Sequence, residues 1–339
     1  MKLYAAIDLH SNQQTLVVLD EQDRQVHRRR LPNVLEVVLD ELAPFQRELE
    51  GVVVESTYNW YWLVDGLMAA GYRVHLANTA ALEPYEGLKH GDDDSDARWL
   101  AHCLRLGLLP EGYIYPRESR PVRDLLGKRA QLVRQRTADI LSIENLTSRN
   151  TGVPINGNRV KQLTVEEVRQ QYGQEDLALP VESTLAVIEV LDQQIHRLEK
   201  RVKGKAKLAA EFQPLLTVSG VGEILGLTIM LETGDIRRFA RVGDYASYCR
   251  CVDSLRFSNG KKKGSGNRKC GNKYLGWAFM EAANFAIRYD PAVKRFYQRK
   301  KARSNVAVAR KAVAHKLARA SYYVMRDRIP FQVERGFGG

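Results

Sequence analysis

The sequence predicts an N-terminal α/β domain, a pair of long central helices and a mainly helical C-terminal region. Three observations lead there. Short apolar runs rich in β-formers alternate with amphipathic stretches through about the first hundred residues. Two long segments, 120–147 and 181–208, carry apolar residues at helical spacing on a charged background. Beyond residue 210 the apolar period is again helical, interrupted by one Gly- and Lys-rich segment.

Residues 3–9, LYAAIDL, read as a strand, and TLVVLD at 15–20 as a second. QVHRRRL at 25–31 supplies a third, antiparallel to the second across a turn between Asp20 and Asp23. Pro32 and Asn33 open an apolar-periodic helix through about 47. GVVVEST at 51–57 is a buried strand, followed by a helix at about 59–70 that Gly71 stops. YRVHLAN at 72–78 is the next strand. The helix at 93–107 carries acids in its first turn, where the helix dipole favours them. The order predicts a mixed sheet with an antiparallel edge.

In the centre, Pro121 fits the first turn of the 120–147 helix. The 181–208 helix places Leu185, Ile188, Leu191, Ile195 and Leu198 on one face. Each helix is about 40 Å long at 1.5 Å per residue, and long paired helices of this kind form coiled coils. Residues 148–180 read as a connector with one short helix at about 164–172. In the C-terminal region TVSGVG leads into a helix in the manner of a helix-hairpin-helix element, whose backbone amides can hold a phosphate; a plain turn between helices accounts for it equally. Residues 256–276 show neither strand nor helix period, 274–290 return to helix, and 292–325 read as one long basic helix. The divisions are 1–115, 116–208 with its connector at 148–180, and 209–339.

Hydrophobic residues make up 44% of the 339 and charged residues 27%, enough apolar material to exclude wholesale disorder. Lys plus Arg number 52 against 40 Asp plus Glu, so the formal charge of +12 favours an anionic partner, nucleic acid first. No apolar stretch reaches the length of a membrane span, and the run before Asp8 is too short for a signal peptide. Cys103, Cys249, Cys251 and Cys270 contain no CxxC pair and fit no zinc or disulfide framework, which points to a reducing, cytoplasmic setting.

Asp8 closes the first strand and Glu55 lies near the end of the fourth, so both reach one sheet edge if those strands are neighbours. Asp93 and Asp96 are three apart at a helix start and share a face. Four carboxylates at strand ends repel strongly, and such a cluster is tolerated when it holds divalent cations; two Mg²⁺ ions are a known device for phosphoryl transfer. The other reading is that Asp8 ends a strand and the acids at 92–94 cap a helix. His10 and His90 lie beside these acids and are assigned no role.

Ser258 heads RFSNGKKKGSGNRKCGN, where Arg256, Lys261, Lys262, Lys263, Arg268, Lys269 and Lys273 are uninterrupted by acid and glycines let the backbone approach a ligand. A serine hydroxyl among cations can attack a phosphodiester. An ordinary solvated loop explains the same composition, and Ser265 competes with Ser258. Further along, Arg299, Lys300 and Arg303 belong to a basic stretch at 294–319 that contains no acid and supports nucleic-acid contact.

These pieces coincide in one family. AIDLH at 6–10, VVVEST at 52–57, KHGDDDSDARWLA at 89–101, LLTVSGVG, RRFARVGDYASYCR and FSNGKKKGSGNRKCGNKYLGWAFMEAANFA resemble the RNA-guided DEDD transposases (recombinases) of bacterial insertion sequences. That family couples a RuvC-like (RNase H-like) domain to a serine-bearing C-terminal domain through coiled-coil helices. The resemblance implies that Asp8, Glu55, Asp93 and Asp96 hold Mg²⁺, with Mn²⁺ a possible substitute, and that Ser258 is the nucleophile. Asp93 sits between Asp92 and Asp94, and CVDSLRFSNG departs from the commoner proline-containing lead-in. The resemblance further implies strand exchange through a phosphoserine link, donor and target double-stranded DNA, a structured guide RNA, and a dimer assembling to a tetramer. Two other classes compete: a RuvC-like structure-specific nuclease that uses water, needing the acids but not Ser258, and a non-enzymatic architectural protein.

Overall fold

The computed structural model describes residues 1–82, 93–206, 210–252, 255–265 and 270–338, with the backbone alone at 93, 94, 206, 255–258, 262 and 265. Strands β1 (Leu3–Leu9), β2 (Gln13–Asp20), β3 (Gln25–Pro32), β4 (Leu49–Glu55) and β5 (Val74–Ala77) form a sheet of order β3-β2-β1-β4-β5. β1 and β2 pair antiparallel, as do β2 and β3, whereas β1, β4 and β5 are parallel. Period-two alternation sorts the side chains. Leu3, Ala5, Ile7 and Leu9 point with Val52 and Val54 into a core that includes Val38 and Leu42 of α1 (Leu35–Leu42) and Leu63, Val64 and Leu67 of α2 (Tyr61–Ala69). Ala6, Val53 and Ala77 point the other way, against Ala97, Leu100 and Ala101 of α3 (Asp93–Arg105). The alanines on both sides let this helix lie close to the sheet. Helices on both faces of this mixed sheet give the RuvC-like, RNase H-like architecture.

Two compact units divide the chain. One comprises Met1–Arg117 with Asn267–Cys270, and the other Glu118–Gly266 with Gly271–Gly339. In the second unit α4 (Arg120–Thr151) and α7 (Glu175–Ala206) run antiparallel: Arg129 bonds Glu199 at 2.7 Å, Arg136 pairs with Asp192, and Ile140 and Ile143 share a core with Val181 and Ile188. The predicted stripe therefore packs within the chain. Ile188 and Ile195 are buried and Leu185, Leu191 and Leu198 half-buried, so this face is covered in part within the chain.

α7 begins at Glu175 rather than 181. Pro180, read as the last residue of the connector, lies in its second turn, and Glu175 and Asp176 supply the first-turn acids. The connector shrinks accordingly to α5 (Gly157–Val160) and α6 (Val165–Tyr172), the latter opened by a Thr164–Glu167 capping box.

The C-terminal elements are α8 (Phe212–Leu215), α9 (Glu223–Thr233), α10 (Val242–Tyr248), β6 (Leu255–Ser258), β7 (Lys261–Ser265), α11 (Lys273–Tyr289), α12 (Pro291–Ala302), α13 (Val306–Asp327) and α14 (Val333–Phe337). The TVSGVG hairpin joins a single turn of helix to α9, and its Gly220 (φ +79°) has no room for a Cβ, which would fall 2.1 Å from the Ala282 carbonyl oxygen. Two expectations change. The long basic helix is broken after Ala302, and Asn305 caps α13 by accepting from the Val308 amide at 2.9 Å. The segment expected to lack a period contains the β6–β7 hairpin. Cys249 and Cys251 belong to the core, and burial pushes the Cys251 thiol up to about 12. No helix among the described residues is long and apolar enough to cross a membrane.

Candidate active site

Asp8 and Glu55 follow a register in which Ile7 pairs with Val54, so they end adjacent parallel strands side by side. Alternation puts both on the face that α3 covers, which is why Asp96, in the first turn of that helix, joins them. Asp8 is only 2% exposed, and its Oδ2 has no hydrogen-bond partner although His10 Nε2 lies 3.1 Å away. Burial, a hydrogen bond with Asp8 and the charges of Asp8 and Asp96 push the Glu55 carboxyl up to about 8. The Asp93 side chain lies outside the described residues, as does His90. Among the described residues no three His, Cys, Asp or Glu close around a metal position. Burial, together with the neighbouring carboxylates, nonetheless favours a neutral Glu55.

An all-oxygen set containing a buried, unsatisfied acceptor and a carboxyl that its neighbours disfavour ionising fits a hard divalent cation. A stability consequence follows. Glu55 has a folded-state value near 8 against an ordinary 4.5, so without a cation the native state retains a proton that the unfolded chain releases. Stability from this group is complete below about 4.5 and is lost as pH rises through about 8. Melting in chelator across this range is expected to fall more steeply for the wild type than for Glu55→Gln, and stabilisation by added Mg²⁺ is expected to grow with pH.

Side chains that sequence reading did not single out hold this edge in place. Asn33 and Asn59 donate to the His10 carbonyl at 2.9 and 3.1 Å, and Thr57 donates to Asn59 at 2.8 Å, tying the loop after β1 to the loop after β4. At the other end of α3, Asp23 receives Arg98 at 3.1 Å, His102 at 2.7 Å and Arg105 at 3.0 Å. Burial alone would raise the Asp23 carboxyl, but the hydrogen bonds and charges of His102 and Arg105 hold it below its usual value. Arg98, His102 and Arg105 stand at helical spacing, the one signal in the sequence for this clamp.

In the second unit Ser258 is the last residue of β6, its backbone paired with Lys261 across Asn259-Gly260. Both turn residues have positive φ, 50° and 70°, the type I′ geometry that Asn-Gly favours. Lys261 and Lys263 are exposed along β7; Arg256 and Lys262 have only their backbone described, and Arg268 and Lys269 lie outside the described residues. Lys273 opens α11 with its ammonium 5.2 Å from the Tyr274 ring centre, and Arg299, Lys300 and Arg303 are exposed at the end of α12 and just after it. The chain leaving this segment is firmly anchored. Gly271 (φ +82°) passes so close to the Tyr248 carbonyl oxygen that a Cβ would sit 2.6 Å from it. Asn272 caps α11 and donates to Glu232 at 2.7 Å, while Glu232, 5% exposed, receives Arg123 of α4 at 2.9 Å. Glu232, an acid directly after the apolar run ILGLTIML, was the available sign of this buried pair.

Residues 5–148 match the profile of the IS110-type DEDD transposases, described as a transposase, and residues 213–298 match the profile described as the transposase IS116/IS110/IS902 family. No curated protein matches the chain. The two matched regions span about two thirds of the sequence and contain every candidate acid and Ser258. Together they identify the chain as a member of the IS110/IS902 family of DEDD transposases.

Proposed function

We propose that this transposase is RNA-guided and exchanges DNA strands through a phosphoserine intermediate on Ser258, assisted by Asp8, Glu55, Asp93 and Asp96. The meeting of Asp8, Glu55 and the start of α3 on one sheet edge is the observation that supports it most. These acids would hold Mg²⁺ or Mn²⁺, which supplies Lewis-acid neutralisation of phosphate charge.

The Ser258 hydroxyl attacks the scissile phosphorus; an O–P bond forms, the bond to the 3′ oxygen breaks, and the serine's proton ends on the released 3′ hydroxyl. A 3′ hydroxyl from another strand then reverses the link, so the phosphodiester is conserved. The basic residues of the hairpin and α12 bind the phosphate backbone, which positions DNA without reading its bases. Pairing with a structured guide RNA supplies sequence choice in both donor and target duplexes. The functional regions are 1–115, 116–208 and 209–339. The chain works in the bacterial cytoplasm as a homo-oligomer, a dimer assembling to a tetramer, in which one subunit's acids serve another's serine.

The test is recombination between two defined DNA sites at fixed salt, with matched, mismatched or absent RNA. Product is expected only with matched RNA, and rewriting the pairing loops is expected to move the site. Equal site-specific recombination in all three arms would place specificity in the protein itself.

A further inference from the structure

A groove of about 470 Å³ lies in the second unit between α13 and the segment leading into α14. One wall carries Arg319 and Tyr323, both exposed, a turn apart on α13; the other carries Phe331 and Arg335. Lys316 fastens the two walls together. Its ammonium donates to the Gly336 carbonyl at 2.6 Å and lies against the rings of Phe296 and Phe337, at 4.9 and 5.5 Å. The groove is therefore held open by a cation already committed, while Arg319 and Arg335 face it. Asp327, the one acid among the described lining residues, is taken by Arg326 at 2.6 and 2.9 Å. The Arg326 guanidinium also sits 4.9 Å over the Tyr323 ring, bracing an aromatic that stays 39% exposed.

A braced ring flanked by Arg319 and Arg335, in a groove whose one described acid is paired with Arg326, combines a stacking platform with phosphate charge. The volume is within the range of small-ligand sites and accommodates about one nucleotide. Duplex DNA offers the charge but keeps its base faces stacked, whereas the unpaired loops of a structured RNA offer both. We propose that this groove is a subsite for an unpaired RNA nucleotide, its base against Tyr323 and Phe331 and its flanking phosphates on Arg319 and Arg335. This rests on the reading of the protein as RNA-guided.

The experiment uses the full chain with labelled oligouridylate, oligothymidylate and duplex DNA. Tyr323→Ala is expected to weaken oligouridylate binding about tenfold, Tyr323→Phe to retain it, and duplex binding to stay unchanged. Arg319→Gln with Arg335→Gln is expected to flatten the logarithmic salt dependence by about 0.7 for each phosphate left without its guanidinium. In the wild type, 4-thiouridine is expected to cross-link within residues 319–335, a readout that needs no variant to fold. Wild-type affinity in folded Tyr323→Ala, or cross-links only elsewhere, overturns the subsite while leaving RNA-dependent recombination standing. An equal loss for oligothymidylate assigns the groove to a DNA strand and overturns the RNA assignment. A wild type that binds no oligouridylate overturns the subsite; matched, mismatched and absent guide RNA in the recombination assay then decide separately whether RNA guidance also fails.

Discussion

Asp8→Asn is expected to reduce strand exchange by about 10³-fold or more, the several kcal/mol that charge neutralisation at a reacting phosphate supplies. The side chain is buried at the end of a central strand, and asparagine has its shape, so the sheet has no reason to change. The substitution removes one of the charges that oppose ionisation of Glu55. In chelator the variant is therefore expected to melt no lower than the wild type at alkaline pH, while the stabilisation that Mg²⁺ gives the wild type shrinks or disappears. Loss of activity and maintained stability are read on the same preparation, by recombination assay and thermal melting. Full recombination by the wild type in chelator would overturn the metal assignment. The opposite signs of the two effects separate a functional acid from one that only ends a strand, since losing a structural cap lowers stability.

The N-terminal fold was legible because period-two alternation, central β-branched runs and Gly-terminated helices all indicate the same sheet. The same alternation carries Asp8 and Glu55 to the face of α3, so their meeting could be anticipated from position alone. Two features escaped for local reasons. Asn259-Gly260 is a strong hairpin signal, but the three lysines and one glycine of β7 have poor strand propensity and no apolar alternation to reveal it. The break between α12 and α13 depends on Ser304 and Asn305, and the uninterrupted basic charge around it masked the capping signal. The clamp at Asp23 and the Arg123–Glu232–Asn272 set join residues distant in sequence: local patterns flag one side of each, but not the partner it bonds. The apolar stripes of the two long central segments read as paired helices, and α4 and α7 do pack against each other along them. Family membership favours a strand-exchanging enzyme over an architectural protein, and the division between serine attack and water attack falls to Ser258.

Ser258→Ala is expected to eliminate the covalent protein–DNA species and to lower strand exchange by about 10⁴-fold or more, as loss of a nucleophile does. DNA binding should persist, because the surrounding cations are untouched and Ser258 ends a strand whose pairing to Lys261 is made by the backbone. Suicide DNA, digestion and mass mapping are expected to place the adduct on Ser258 in the wild type and to find none in the variant, with Ser265→Ala retaining it. An adduct on Ser265, or on no serine, would reject the nucleophile; the second outcome with DNA cleavage intact would leave a water-using nuclease. Mixing carries the test further. Asp8→Asn retains Ser258, and Ser258→Ala retains the four acids, so each inactive chain lacks what the other keeps. If active sites are shared between subunits, a mixture given time to exchange subunits recovers part of the wild-type rate. If each chain holds a self-contained site, the mixture stays as inactive as its components. Subunit exchange is checked on the same sample by mixing differently tagged chains and recovering both on one tag, so an inactive mixture with proven exchange counts against shared sites.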